Sequence, residues 1–193
     1  MERKLKDSWA KWHNLVFKWD ELNKDTFNQL QKLLNNRTQI DYYLAPSLDI
    51  LNSVSELKET VISQLYIEQC QLKSALNRTR GKFLKLAGDM ETLTQELTSC
   101  EELIISESNE WLQYSPHPNF PSFTLSHFRL FSERLLFLYR KELHIKLILL
   151  KELPIAKTED SKVLYLTTWS FEPFLDKELT FSLNLILSIL DIK

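Results

Sequence analysis

The chain has 193 residues and a formal net charge of −2, which suits one domain and gives no general attraction to nucleic acid or to an anionic membrane. It contains only two glycines, Gly81 and Gly88. Phosphate-binding loops and tight hairpin turns need glycine, so dinucleotide folds, P-loop folds and most all-β folds are disfavoured. We therefore expect an all-α protein over residues 1–193, an elongated helical bundle with a long coiled-coil-like central helix.

The first element is an amphipathic helix over residues 4–45. Positions at spacings of three and four define one helix face, on which Asn23, Thr26 and Arg37 are polar gaps. The apolar members of that face are Trp9, Trp12, Val16, Trp19, Leu30, Leu33 and Ile40. Pro46 disfavours the α region for the residue before it, so the helix should end there.

One heptad register then runs unbroken over residues 47–114. Its seam is formed by Leu48, Leu51, Ser55, Lys58, Ile62, Leu65, Gln69, Leu72, Leu76, Thr79, Phe83, Leu86, Met90, Leu93, Leu97, Cys100, Ile104, Glu107, Trp111 and Tyr114. A sustained repeat of this kind predicts one long helix. The alternative is a fold-back between Gly81 and Gly88, which the unbroken register disfavours.

A helix of this length should project beyond its neighbours, and its exposed seam would then need a partner. We expect a coiled-coil hetero-partner to bind the second half of the seam, at Leu86, Leu93, Leu97 and Ile104. The rival interpretation is a homodimeric coiled-coil tether with a structural role, which sedimentation of the pure protein would distinguish.

Residues 115–124 carry three prolines and predict a linker. The helix predicted over residues 125–153 is apolar on nearly every side, so other elements should cover it all round. Its charged residues interrupt every apolar run well short of the roughly 20 residues that a membrane span requires. Short helices should follow over residues 158–193. Residues 179–190 fit a strand or a helix, and a helix is favoured because no other segment offers a strand partner.

Three blocks of sequence resemble a known family. The first runs from Trp12, His13 and Asn14 to Trp19, and the second is Tyr139-Arg140-Lys141-Glu142 within a longer match. The third places Trp169 four residues before Pro173. These blocks, in this order and with a predicted coiled coil between the first two, are similar to those of the cyclin-dependent kinase 2-interacting protein family.

The resemblance implies a non-enzymatic adaptor or scaffold that binds helical proteins, nuclear with the cytoplasm as a second compartment. Implied partners are cyclin-dependent kinase 2, replication and checkpoint kinases, and subunits of a AAA+ ATPase assembly for large ribosomal subunit maturation. The resemblance implies no catalytic residue in this chain.

The residues themselves suggest no enzyme, metal or cofactor. The four histidines are scattered, and Cys70 and Cys100 lie far apart with no adjacent histidine. Arg134 to Phe137 match the short RxLF cyclin-docking pattern, but they lie in the helix expected to be buried, so chance is favoured. The basic cluster Arg78, Arg80, Lys82 and Lys85 is interpreted as a solvated helix face rather than a phosphate or RNA contact.

Overall fold

Five α-helices account for nearly all of residues 2–45, 55–107, 125–153 and 158–192, the ranges that the computed structural model of the protein describes. The helices are α1 (Glu2–Leu44), α2 (Ser55–Glu107), α3 (Leu125–Glu152), α4 (Glu159–Phe171) and α5 (Lys177–Ile189). The chain divides into two compact units. Unit 1 comprises Met1–Asp20, Phe83–Leu147 and Glu172–Lys193, and unit 2 comprises Glu21–Lys82 and Ile148–Phe171. The all-α prediction is confirmed, and the single domain stays a prediction.

Helix α1 buries the face that its heptad spacing predicts. Its tryptophans Trp9, Trp12 and Trp19 have no exposed surface, and all three belong to unit 1. In unit 2 the same face continues with Leu30, Leu33 and Ile40, each at most 4% exposed. Beyond α1, Ala45 still donates its backbone N–H to the carbonyl oxygen of Tyr42. The helix thus ends before Pro46, as expected.

Helix α2 is continuous for 53 residues, so the chain does not fold back at Gly81 or Gly88. A Cβ atom added to either glycine would meet nothing within 4 Å. The predicted seam is the buried face, and its buried members in the described part of α2 are Leu65, Gln69, Leu76, Thr79, Phe83, Met90, Leu93 and Leu97. The predicted ends of this helix, residues 47–54 and 108–114, and the predicted linker 115–124 lie outside the described residues.

The expectation of a projecting arm is wrong for the described second half of α2. Within unit 1, Glu91 of α2 pairs with Arg140 of α3 at 2.6 Å, and Glu101 accepts a hydrogen bond from Ser126 at 2.6 Å. Arg129 of α3 also pairs with Glu101. The protein's own helix α3 therefore covers the segment that we expected to project.

This packing determines how exposed the candidate partner-binding residues are. Leu93 and Leu97 are each 6% exposed, and Leu86 is half-buried. The seam at these residues is therefore not an open surface for another protein, because the chain's own helices already exclude water from it. The side chain of Ile104 lies outside the described residues.

Helix α3 is buried along one stripe rather than on every side. Phe128 and Leu135 are each 1% exposed, whereas Leu130 is 53% and Phe137 is 56% exposed. The expectation that other elements cover this helix all round is therefore wrong in unit 1. Three to four residues per turn place the exposed side chains opposite the buried stripe.

The C-terminal part of unit 1 resolves the strand–helix ambiguity in favour of the helix. Asp176 caps α5 by accepting the backbone N–H of Leu179 at 2.8 Å. Leu183, Ile186 and Leu190 are buried at helical spacing. Phe181 is 68% exposed, so the alternation that suggested a strand has no buried face.

Side-chain hydrogen bonds connect the helices of unit 2. Arg37 donates to the backbone oxygen of Leu153 at 2.7 Å, which satisfies a carbonyl group just past the end of α3. Lys162 of α4 bonds to Thr38 of α1 at 2.6 Å. Asn36 donates to Glu68 of α2 at 3.2 Å. These polar contacts join α1 to α2, α3 and α4 around the leucine-rich core of this unit.

Candidate functional site

Aromatic side chains from the first two sequence blocks pack together in unit 1. The ring of Trp12 lies 6.4 Å from that of Tyr139, measured between centroids. Trp19 meets Tyr139 edge-on at 5.1 Å and Phe83 edge-on at 4.7 Å. Heptad spacing puts Trp12 and Trp19 on the same face of α1, which is why both reach the same partner ring. Tilted and edge-on arrangements of this kind are the favoured geometry of aromatic pairs.

A chain of three hydrogen bonds starts at the indole of Trp12. The indole Nε1 of Trp12 donates to the hydroxyl of Ser132 at 3.1 Å. That hydroxyl lies 3.0 Å from the hydroxyl of Thr94, and Thr94 donates to the backbone oxygen of Met90, also at 3.0 Å. Thr94 has a single proton, so Ser132 must be the donor between the two hydroxyls. The chain therefore joins α1, α3 and α2 with every proton assigned.

A buried ion network brings all three blocks together. The ammonium group of Lys146 has no exposed surface and lies 3.1 Å from Oε1 of Glu172 and 3.5 Å from Oε1 of Glu142. The same Oε1 of Glu172 accepts the indole N–H of Trp19 at 2.9 Å. The second oxygen of Glu142 accepts the backbone N–H of Phe174 at 3.2 Å. Lys146 thus links a carboxylate on α3 to one that lies just beyond α4.

Burial dominates the electrostatics of this network. It raises the pKa of the Glu142 carboxyl, and the neighbouring charge of Lys146 and the N–H of Phe174 oppose that rise only in part. The pKa of the Tyr139 hydroxyl is also raised, by burial first and then by the charges of Asp20 and Glu172. Tyr139 therefore stays protonated at neutral pH.

The network also holds an unusual backbone conformation. Glu172 has a φ of 47°, in the left-handed region that favours glycine. The bonds from Trp19 and Lys146 fix its side chain, and its carbonyl oxygen accepts the N–H of Leu175 at 2.8 Å. The enclosed carboxylates and ammonium group thus hold a turn in place. This geometry provides structural support and no opening for a substrate.

The family-motif residues divide into a buried and an exposed group. Trp12, Trp19, Tyr139 and Glu142 belong to the core of unit 1, and Trp169 is buried in unit 2, where its indole donates to the carbonyl oxygen of Asn23 at 3.3 Å. The exposed members are His13, Asn14, Arg140, Lys141 and Pro173.

Two of the exposed motif residues have partners within unit 1. Arg140 forms the ion pair with Glu91, and the ammonium group of Lys141 lies over the ring of Phe137 at 4.4 Å. Their charged ends remain at the surface, so these contacts orient the side chains without burying them.

A polar groove runs between α1 and α2 in unit 1, beside the exposed Asn14. One cavity of about 550 Å³ is lined by Lys4, Asp7, Ser8, Lys11, Thr92, Gln95, Glu96, Ser99 and Cys100. Lys11 and Glu96 pair across it at 3.8 Å, and both side chains are at least half exposed. A smaller cavity of about 280 Å³ adjoins it next to Asn14 and Leu93. No three His, Cys, Asp or Glu side chains within the described residues are placed to hold a metal ion.

Sequence reasoning missed Ser132, Lys146 and the role of Glu172. A signal for Lys146 was present in the sequence, since it lies four residues after Glu142 on a helix stripe that also carries Leu135, Tyr139 and Leu143. A charged pair on an apolar stripe predicts a buried ion pair. Nothing local in the sequence indicated that Glu172 would reach it, because that contact depends on how α3 and the turn after α4 pack.

The chain is similar to curated proteins over most of its length, although no model of a protein family matches it. It is 30% identical over 178 residues to the cyclin-dependent kinase 2-interacting protein of Homo sapiens, covering 91% of this chain and 82% of that protein. It is 27% identical over 180 residues to the protein of the same name from Xenopus laevis, covering 92% and 83%. The Bos taurus protein is 27% identical over 178 residues. Within the described residues, no helix contains an apolar stretch that could span a membrane. The chain belongs to the cyclin-dependent kinase 2-interacting protein family.

Proposed function

We propose that the protein is a non-enzymatic adaptor that binds other proteins, with cyclin-dependent kinase 2 as one partner. The observation that carries this proposal is the 30% identity, over 91% of the chain, to a human protein named for its interaction with that kinase. The division of the motif residues supports it. The buried members build the core, whereas His13 and Asn14 remain exposed without a packing role in the described residues.

The surface around His13 is the proposed contact for the kinase. Phe17 lies one helical turn further along α1, on the same side as His13, and is 56% exposed. Aromatic residues, Phe among them, are enriched in protein interfaces relative to the rest of the surface. The RxLF pattern is not proposed as a contact, because its leucine, Leu136, is partly buried in the continuous helix α3, although Arg134 and Phe137 are exposed.

We extend the proposal to the wider roles that the family resemblance implies. These are action in the nucleus with replication and checkpoint kinases, and membership of a AAA+ ATPase assembly for large ribosomal subunit maturation. Their support is the resemblance of the three sequence blocks alone. The structure contributes a helical scaffold whose exposed faces leave room for several partners.

The test is a titration of the purified chain with purified cyclin-dependent kinase 2, and biolayer interferometry measures the binding. The kinase is used both without and with its cyclin. We expect micromolar binding by the natural chain and about tenfold weaker binding by the double variant His13→Ala and Phe17→Ala. The matched control is Phe181→Ala, which removes a ring that is 68% exposed on α5 and should leave binding unchanged. Absence of kinase binding by the natural chain would overturn the proposal, and equal binding by the double variant would overturn the proposed contact.

A further inference from the structure

The outward face of α2 in unit 2 is positively charged. Between Gln69 and Gly88 the sequence has five basic residues and no Asp or Glu, and the five are Lys73, Arg78, Arg80, Lys82 and Lys85. The first four belong to unit 2, and all four are exposed. Their concentration is unexpected in a chain whose net charge is −2.

These charges have no carboxylate partner among residues 21–45, 55–82, 148–153 and 158–171, the described part of unit 2. Lys73 donates to the side-chain amide of Gln69 at 3.0 Å, and Arg78 donates to the hydroxyl of Ser74 at 3.2 Å. Both acceptors are neutral and lie one turn away on the same helix. The positive charge of this face is therefore not neutralised within the unit.

The basic side chains flank a second heptad seam, opposite the buried one. Its members are exposed and recur at spacings of three and four: Ile67, Cys70, Ser74, Asn77 and Gly81. Lys73 and Arg80 lie along one edge of this outward seam, and Arg78 lies along the other. In a coiled coil, the residues at these edges decide which partner helix is accepted.

The outward seam is shallow enough for a helix to approach closely. Ser74 and Gly81 have small side chains, and an added Cβ at Gly81 would meet nothing within 4 Å. Glycine is disfavoured inside a helix, and the packing of this unit gives no reason for it here. A partner with large apolar residues would fill the space above Ser74 and Gly81.

We propose that the outward seam of α2, from Ile67 to Lys82, binds an acidic amphipathic helix of a protein partner. Glu or Asp residues along both edges of that helix would pair with Lys73, Arg78 and Arg80. The proposal rests on the proposed adaptor function and specifies the chemistry of one partner. A second copy of this chain does not fit, because its basic edges would face the same basic edges.

A helix fits this face better than a nucleic-acid backbone does. Tyr66 and Ile67, at one end of the outward seam, are 48% and 52% exposed, and exposed apolar surface of this kind suits the apolar stripe of an amphipathic helix. Glu56 and Glu59 are exposed further along the same helix and would repel a polyanion that followed its axis.

The experiment titrates the full chain against three fluorescent probes and measures anisotropy. The first probe is a synthetic helical peptide of about four heptads, with Leu in its stripe and Glu along both edges. The second has Lys in place of Glu, and the third is an RNA duplex. We expect the Glu peptide to bind at least about tenfold more tightly than the Lys peptide, and salt to weaken its binding.

The variant that tests the residues is Arg78→Glu with Arg80→Glu, and the control is Lys24→Glu with Lys32→Glu, the same charge change at exposed positions of α1. The first should weaken binding of the Glu peptide by about tenfold or more, and the second should leave it nearly unchanged. Circular dichroism melting of both variants shows whether each is folded.

Tighter binding of the RNA duplex, equal loss in both variants, or no preference for the Glu peptide would each overturn the proposal. The kinase titration described above separates the two proposals. Kinase binding without peptide binding removes the acidic-helix partner and keeps the adaptor function. Peptide binding without kinase binding removes the kinase as a partner and keeps the acidic-helix partner.

Discussion

At the scale of single residues, a buried lysine holds together the parts of unit 1 that the sequence blocks contribute. Lys146 has no exposed surface, and it contacts Glu142 and Glu172. A buried ion pair adds little stability compared with well-packed apolar residues, because both charges lose their hydration. Removing one partner is different, since it leaves the other charge buried without compensation.

Replacing Lys146 by Met should therefore lower the free energy of unfolding by about 3–5 kcal/mol. Met fills a similar volume, so the loss reports the unpaired carboxylates rather than a cavity. The control is Arg140→Met, which removes an ion pair whose two side chains are 52% and 42% exposed and should change stability by at most about 1 kcal/mol. Urea denaturation measures both, and equal effects would show that burial of Lys146 is unimportant.

The raised pKa of Glu142 makes stability depend on pH. As pH rises past the usual carboxyl value of 4.5, the unfolded chain loses this proton before the folded chain does. The folded state then binds more protons, so stability falls until the raised pKa of the folded state is passed. Glu142→Gln cannot ionise, so we expect the natural protein to lose stability relative to this variant over that window. Thermal melts at a series of pH values test this, and a difference that is constant with pH would contradict it.

At the scale of the element, the two faces of α2 carry different kinds of residue. Its buried face carries the apolar seam, and its outward face carries both glycines and most of its basic residues. Neither glycine has a positive φ or a close neighbour. Both therefore weaken the helix without a compensating contact inside the protein.

Gly81→Ala and Gly88→Ala should each raise the free energy of unfolding by about 0.5–1 kcal/mol, because alanine restricts the unfolded chain and favours the helix. Ala87→Gly is the reverse change at a neighbouring position that is 7% exposed, and it should cost about 1 kcal/mol. Chemical denaturation measures all three. A destabilising glycine replacement would mean that the backbone at that position is constrained in a way that this geometry does not show.

The burial of the α2 seam leads to a second prediction at the same scale. Leu93 is 6% exposed, so Leu93→Ala should lower the free energy of unfolding by about 2–5 kcal/mol. Leu84 on the same helix is 47% exposed, and Leu84→Ala should change stability by only about 0.5 kcal/mol. If Leu93→Ala left the melting temperature unchanged, the seam would be open to a partner after all.

At the scale of the whole molecule, the arrangement of charges and apolar faces disfavours self-association. The seam that a homodimeric tether would need is covered in both units, with Gln69 at 8% and Leu97 at 6% exposure. The outward face of α2 is basic, so two copies would repel one another there. Within its described ranges, the protein thus leaves the long heptad seam of α2 unavailable to a second copy of the chain.

We therefore expect the pure protein to sediment as a monomer of 22.9 kDa at low micromolar concentration. Analytical ultracentrifugation at two salt concentrations is the measurement, since salt would reveal an association limited by charge. A stable dimer at both salt concentrations would contradict the prediction and favour the tether.

The sequence by itself determined the helices, because periodicity and the positions of proline and glycine are local properties. The continuous α2 follows from an unbroken register, and a helix is favoured for α5 because no other segment offers a strand partner. The three sequence blocks also indicated the family, since a match of residue types and order depends on the chain alone. These inferences need no knowledge of which helix packs against which.

Only the tertiary structure decided which apolar stripes are covered. The heptad pattern of α2 is the same whether α3 or another protein covers it, so the position of Leu93 in the core could not be read from spacing. The same holds for Glu172, whose carboxylate reaches Lys146 and Trp19 from a distant part of the chain. Such contacts depend on the packing of whole helices, which local sequence does not specify.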